Sequence, residues 1–402
     1  MQSYFLEFFP KLRLFISNFK MSIDVKKFII RGLIFATPIA LFFGISFYVL
    51  FTSSELESWD SIVQKWMSDD PVQVGMVYST LPRYLKLASV LARKPDIIVM
   101  GSSRSNQVRA GFFKKPDKFY NAQIGGSTIE DYGIFLNKIP TDSQPKVILL
   151  GLHPEFFDNS CRSADTKTIE EEYSQKFGQS GSFKAWEYGY KQLYLDYFGG
   201  KFKLKDLSKL GNDSGKIGLN AILHNAGYRN DGSYFDGRVM ADLLSHPRND
   251  SYKDTFKNQF FSNEIKQTCP DNHAYAINQV SEFLKNSSSR NIYVIGFMPP
   301  LASIINKTIG VDKKYGYIKN LDSDLKPLFE KYKFGFYNFV DFSKLDPEDK
   351  EMIDPTHGSE KTMLRVIISM LRDNQTLKRY TDINYLNNLL KSSKNNFFVF
   401  EN

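Results

Sequence analysis

Residues 32–51, GLIFATPIALFFGISFYVLF, form a run of twenty residues without a charge. A helix of that length can cross a ~30 Å hydrocarbon core, and Pro38 is tolerated within such a helix. The two flanks differ. Lys11, Arg13, Lys20, Lys26, Lys27 and Arg31 precede the run, against Glu7 and Asp24, whereas the following TSSELESWDS is acidic. This bias places residues 1–31 in the cytoplasm and everything after residue 52 outside it. A cleaved signal peptide has a shorter apolar core and a small-residue cleavage site. Neither fits, and a retained single-pass anchor over 32–51 is expected.

The anchor also explains the charge. The formal net charge is +8, with 52 basic and 44 acidic residues. Six of those basic and two of those acidic residues lie before residue 32, so half of the excess sits beside the span. The basic balance therefore reads as a topology signal, and no nucleic-acid partner is expected. Hydrophobic residues make up 42% of the 402, enough for a substantial core. The two cysteines, Cys161 and Cys269, leave a disulfide and two unpaired thiols both open. Neither has metal-ligand spacing, and no metal or diffusible cofactor is expected.

Residues 52–95 read as a helical stalk or N-terminal layer. Beyond them, short apolar runs alternate with amphipathic stretches. DIIVM (96–100) is followed by GSSRS, KFYNAQI (118–124) by GGST, and KVILL (146–150) by GLHPE. IEDYGIFLNKI lies between the second run and the third. This alternation predicts an α/β fold with about five parallel strands and crossover helices. Residues 156–272 interrupt the pattern, and their length predicts an inserted cap with its own helices. The pattern resumes with a helix over 275–287, the run NIYVIGF (291–297), the helix LDSDLKPLFEKY and the run FGFYNFVDF. A strong helix over 359–372 closes the domain, which spans 96–372, and residues 373–402 read as a tail.

Ligands of an open parallel sheet bind beyond the carboxyl ends of its strands. The polar signals fall at those ends: Ser102 and Ser103 after the first run, Gly125 and Gly126 after the second, His153 after the third. Asp354 and His357 follow the last. A serine nucleophile needs a base, and the base needs a third group to fix its tautomer. The tetrapeptide DPTH supplies both, with Asp354 orienting His357 and His357 facing Ser103. Ser102 and Ser105 are the alternative nucleophiles. Backbone amides at Ser103 and Gly126 are the candidate donors to an oxyanion. Arg104 is a candidate substrate contact, although a charged residue in the first turn of a helix more often faces solvent. His224, His246 and His273 read as ordinary surface residues.

The ordered blocks GSS, YNAQIGGST, GLHPE and DPTH resemble those of the SGNH hydrolase family over residues 96–159 and 290–372. The resemblance implies a flavodoxin-like sandwich, with Ser103 as nucleophile, Gly126 as oxyanion donor and Asp354 with His357 completing a triad. Two positions depart from the family pattern. Ser102 replaces an Asp, as in membrane-anchored relatives that include the D-alanyl-transfer proteins of teichoic acid synthesis. His153 stands where the third block carries Asn, which leaves two readings open: its imidazole N–H as a substitute oxyanion donor, or a structural residue of a strand-end turn. The implied activity is an extracytoplasmic serine esterase or O-acyltransferase acting on an acylated cell-envelope glycan or lipid, alongside other envelope-modification proteins. A non-catalytic module for glycan binding or polysaccharide assembly is the alternative.

Overall fold

The computed structural model describes residues 22–400 apart from 69, 79–81, 126–127, 159–164, 175–182, 212–214, 247, 249–250, 262–271, 310–314 and 347. Helix α1 (Ile23–Thr52) contains the uncharged run and is capped by the Ser22 hydroxyl, which accepts from the Val25 amide. Its thirty residues span ~45 Å. The helix is long and apolar enough to cross a membrane. It buries only Ser46, Val49 and Leu50 against the rest of the protein. Phe35, by contrast, is 76% exposed. A helix in the core of a soluble protein would bury such residues.

Residues 53–95 fold as α2 (Trp59–Trp66), β1 (Gln73–Val74) and α3 (Pro82–Arg93). Strand β2 (Ile97–Met100) leads through short 3₁₀ turns to β3 (Phe119–Asn121), and α4 (Ile129–Asn137) leads on to β4 (Val147–Gly151). The long interruption holds α5 (Thr166–Ser174), α6 (Phe183–Phe198), β5 (Lys216–Ile217), α7 (Leu219–His224), β6 (Ala226–Tyr228), β7 (Tyr234–Asp236), α8 (Gly237–Ser245) and α9 (Tyr252–Phe261). Regular alternation returns with α10 (Asn272–Ser289), β8 (Tyr293–Met298), α11 (Ser303–Ile309), α12 (Tyr317–Lys331) and β9 (Gly335–Asn338). Helices α13 (Glu360–Met370), α14 (Gln375–Tyr380) and α15 (Ile383–Ser392) follow.

The main sheet has five parallel strands in the order β3-β2-β4-β8-β9. Side chains alternate across it with period two, and both faces are buried, which is why the central strands read as continuous apolar runs. Ile98, Met100, Ile148, Leu150, Val294 and Met298 enter one core, with residues of α3, α4, α10 and α12. Ile97, Val99, Val147, Leu149, Ile295 and Phe297 enter the other, with α13, Leu377 and Leu386. The chain leaves β2 for β3 on one side and returns past it to β4. The order therefore reverses between β2 and β4, which opens a crevice at their carboxyl ends.

Two parts of the chain are tied into the rest of the protein. Residues 156–272 carry helices of their own and also pair with a segment that precedes the main sheet. Strands β5, β6 and β7 join β1 in a second sheet, ordered β5-β1-β6-β7. Tyr173 and Glu172 of α5 bond Asp131 of α4 and Arg83 of α3, respectively. The interruption thus interleaves with residues 53–95 as one layer, because strands of two or three residues need partners from elsewhere in the chain. The C-terminal residues are likewise packed: Phe400 stacks on Phe112 at 5.7 Å and Leu386 is fully buried.

Candidate active site

The loop after β2 is held in place by buried contacts. Ser102 is extended (φ −92°, ψ −167°) and opens a 3₁₀ turn over Ser103–Ser105. Asn121, at the end of β3, donates from its side-chain amide to the Ser105 and Val108 carbonyls at 2.9 and 3.0 Å. Behind Asn121, the buried ammonium of Lys86 donates to the Asn121 and Gly232 carbonyls at 2.8 and 2.5 Å. Burial pushes the Lys86 amine well below its usual value. Gly232 sits at φ +79°, and a Cβ there would lie 2.2 Å from the Asn121 oxygen. Gly101 and Gly151 serve a second close approach, since a Cβ on either would meet Ser105 Oγ at 2.4 or 2.5 Å. The three serines therefore differ. Ser105 is fully buried and Ser102 nearly so, while Ser103 is half-buried and reachable.

Ser103 Oγ lies 2.8 Å from His357 Nε2. His357 Nδ1 lies 2.7 Å from Asp354 Oδ2. The other Asp354 oxygen accepts from the Thr356 and His357 amides at 2.8 and 2.9 Å. Burial raises the Asp354 carboxyl, but its hydrogen bond and charge contact with His357 and those two amides outweigh it and hold it below the ordinary carboxylate value. The carboxylate thus stays ionised and fixes the ring.

The loop carrying these residues is knitted to its surroundings. The Ala302 amide donates to the Pro355 carbonyl at 3.0 Å, and Ile353 N to His357 O at 2.8 Å. Asp349 accepts from the Ser303 and Ile304 amides at the start of α11. Arg248, from the long interruption, donates to the Met352 and Ile353 carbonyls at 2.5 and 2.9 Å. Its guanidinium lies over the rings of Tyr252 and Phe256. Sequence reasoning did not single out Lys86, Arg248 or Asp349, since no local pattern marks a side chain that bonds a distant carbonyl or amide.

His153 is buried after β4, stacks on Phe156, and lies 2.8 Å (Nε2) and 3.1 Å (Nδ1) from Ser102 Oγ. It therefore meets the serine next to Ser103. Arg104 does not face solvent: it is 8% exposed and paired with Glu155. The turn after β2 points inward here, so the side chain is enclosed. His273 is also less free than expected, bridging the Phe157 carbonyl and Asp324 at 3.0 and 3.1 Å. Gly126, Cys161 and Cys269 lie outside the described residues.

The loop is clamped from a third side. Arg109 pairs with Asp231 at 3.0 Å and with the buried Glu360, and Asp231 accepts from the Ala110 amide at 3.0 Å. A hydroxyl bonded to an imidazole, which is in turn bonded to a carboxylate, is the arrangement that activates an alcohol as a nucleophile. Comparison with known proteins gives no match, either to a family model or to a curated sequence.

Proposed function

We propose that the protein is a membrane-tethered serine hydrolase or O-acyltransferase of the SGNH kind, with Ser103, His357 and Asp354 as its triad. The observation that carries this reading is the unbroken chain of contacts from Ser103 Oγ to His357 Nε2 at 2.8 Å and from His357 Nδ1 to Asp354 at 2.7 Å. These residues are 254 positions apart at the widest, at the carboxyl ends of strands that flank the sheet's reversal point and its far edge. The order of the five main strands also matches the flavodoxin-like arrangement.

In this reading Ser103 Oγ attacks the carbonyl carbon of an acyl ester while its proton passes to His357 Nε2. The tetrahedral intermediate collapses, the C–O bond to the leaving group breaks, and His357 returns the proton to the departing alkoxide. An acyl-enzyme on Ser103 remains. Water or a sugar hydroxyl then gives its proton to His357 and attacks the acyl carbon, the bond from that carbon to Ser103 Oγ breaks, and His357 returns the proton to Oγ. The Ser103 amide opens a 3₁₀ turn, where an N–H has no intrahelical partner, and is one donor to the oxyanion. Gly126 is assigned as the second, and His153 supports the loop through Ser102. The uncharged span with its basic flank supports a reading in which this chemistry faces outward from the membrane, toward acylated envelope glycans or lipids.

A fluorophosphonate probe tests the reading. Covalent labelling of the full chain in detergent, lost in Ser103→Ala and kept in Ser102→Ala, is expected. A folded wild type that takes no label overturns it in favour of a binding module.

A further inference from the structure

Helix α6 lies alongside the outer half of α1. The Tyr194 ring stacks on Phe42 with centroids 3.9 Å apart, and Ser46 Oγ lies 2.6 Å from the Tyr194 hydroxyl. One turn earlier in α6, Tyr190 meets Phe43 edge-on at 5.9 Å, and Gly189 sits beside Leu50. Between Gly189 and Tyr194, over which α6 rises ~7.5 Å, its contacts on α1 shift from Leu50 back to Phe43 and Phe42. Phe42 is midway along the uncharged run.

Beyond Tyr194 the chain makes a tip. The Gly199 amide closes onto the Leu195 carbonyl at 2.8 Å and the Lys201 amide onto the Asp196 carbonyl at 2.8 Å, with Gly200 at φ +73°. Phe202 then returns to the small core built on Val49 and Leu50. The tip presents apolar side chains outward: Phe198 is 80% exposed, Leu195 54% and Tyr197 38%. Lys201, Lys203 and Lys205, all exposed, follow directly behind it. An apolar aromatic point with a collar of long basic side chains suits a membrane interface, where rings enter the acyl boundary and ammonium groups reach the phosphates.

We propose that the tip at residues 195–200 inserts into the outer leaflet of the bilayer that α1 crosses, with Lys203 and Lys205, on the limb that follows Phe202 back toward Val49 and Leu50, at the headgroup phosphates. The inference rests on the reading of α1 as a span. A single helix would leave the domain free to swing. A second contact, on a helix packed against the first, fixes how the Ser103 crevice faces the membrane surface and so selects substrates that lie at it.

Nitroxide accessibility tests this on the full chain in phosphatidylcholine–phosphatidylglycerol vesicles. Labels are placed by Phe198→Cys, Phe35→Cys and Lys285→Cys in a Cys161→Ser, Cys269→Ser background. Phe35 reports the span, and Lys285, an exposed residue of α10, reports water. Position 198 should show an oxygen-to-nickel-chelate collision ratio severalfold above that of 285, close to that of 35. A ratio at 198 equal to that at 285, with 35 in lipid, overturns the tip and leaves the span. A water-like ratio at 35 overturns both. Phe198→Trp quenched by brominated lipid repeats the measurement with both cysteines retained, and unchanged emission at 198 overturns the proposal.

Discussion

Two serine–histidine contacts start from adjacent residues of the loop after β2, and they differ in their surroundings. Ser103 is half-buried, and its histidine is fixed from behind by Asp354 at 2.7 Å. Ser102 is buried, as is His153, whose ring stacks on Phe156 at 5.0 Å. The contact distances are the same, 2.8 Å in each case. What separates them is access and orientation. A hydroxyl that substrate can reach, beside a ring held by an ionised carboxylate, is equipped to react. A hydroxyl enclosed beside a stacked ring is equipped to hold a loop.

The comparison breaks if the two serines respond alike. Ser103→Ala and His357→Ala should each lower turnover of a p-nitrophenyl acetate type substrate by about 10⁴-fold or more without a change in circular dichroism or melting temperature. Equal loss in Ser102→Ala would assign the chemistry to the wrong pair. Asp354→Asn should cost less than either, about 10³- to 10⁴-fold, because it misorients the ring without removing base or nucleophile.

The shared loop offers a test by stability. Burial raises the Asp231 carboxyl, but Arg109, Ser233, the Ala110 amide and Arg229 outweigh it and hold it well below the ordinary carboxylate range. A carboxyl depressed in the folded state stabilises fully above its ordinary value of 3.8 and loses that contribution as pH falls toward its folded value. Urea unfolding of Asp231→Asn should show a loss of about 3 kcal/mol at neutral pH. The wild type should then lose its advantage below about pH 4. A difference that persists undiminished in acid would remove the charge from this account. Ser102→Ala should have the smallest effect, about 1 kcal/mol of stability and less than about tenfold in turnover, since it removes one hydrogen bond. A change in kcat without a change in melting temperature would draw His153 into the reaction itself.

Much of the main sheet was legible because each strand carries its own signal. IIVM, VILLG and YVIGFM are buried on both faces, and that double burial forces a continuous apolar run. The helices between them announce themselves as amphipathic stretches such as IEDYGIFLNKI. The second sheet carried no such signal. Gln73–Val74 and Lys216–Ile217 are two residues each, and their pairing joins segments 143 positions apart. The same contrast holds at the site. Ser103, Asp354 and His357 stand in short motifs at strand ends, so their residue types and order suggested their roles. The inward turn of Arg104, the support from Asn121 and Lys86, and the hold of Arg248 on the 352–353 carbonyls have no local spelling.

The sequence alone determined what depends on neighbours along the chain: an uncharged helix with a basic flank, the apolar runs of the main-sheet strands, and a histidine three residues from its carboxylate. Only the tertiary structure decided which serine faces that histidine, which histidine is a tie, and where the long interruption goes. The physical reason is that burial and hydrogen-bond partnership are properties of places in space. Whether a hydroxyl is reachable or enclosed depends on residues such as Gly151 and Phe156, which no pattern around position 103 can report.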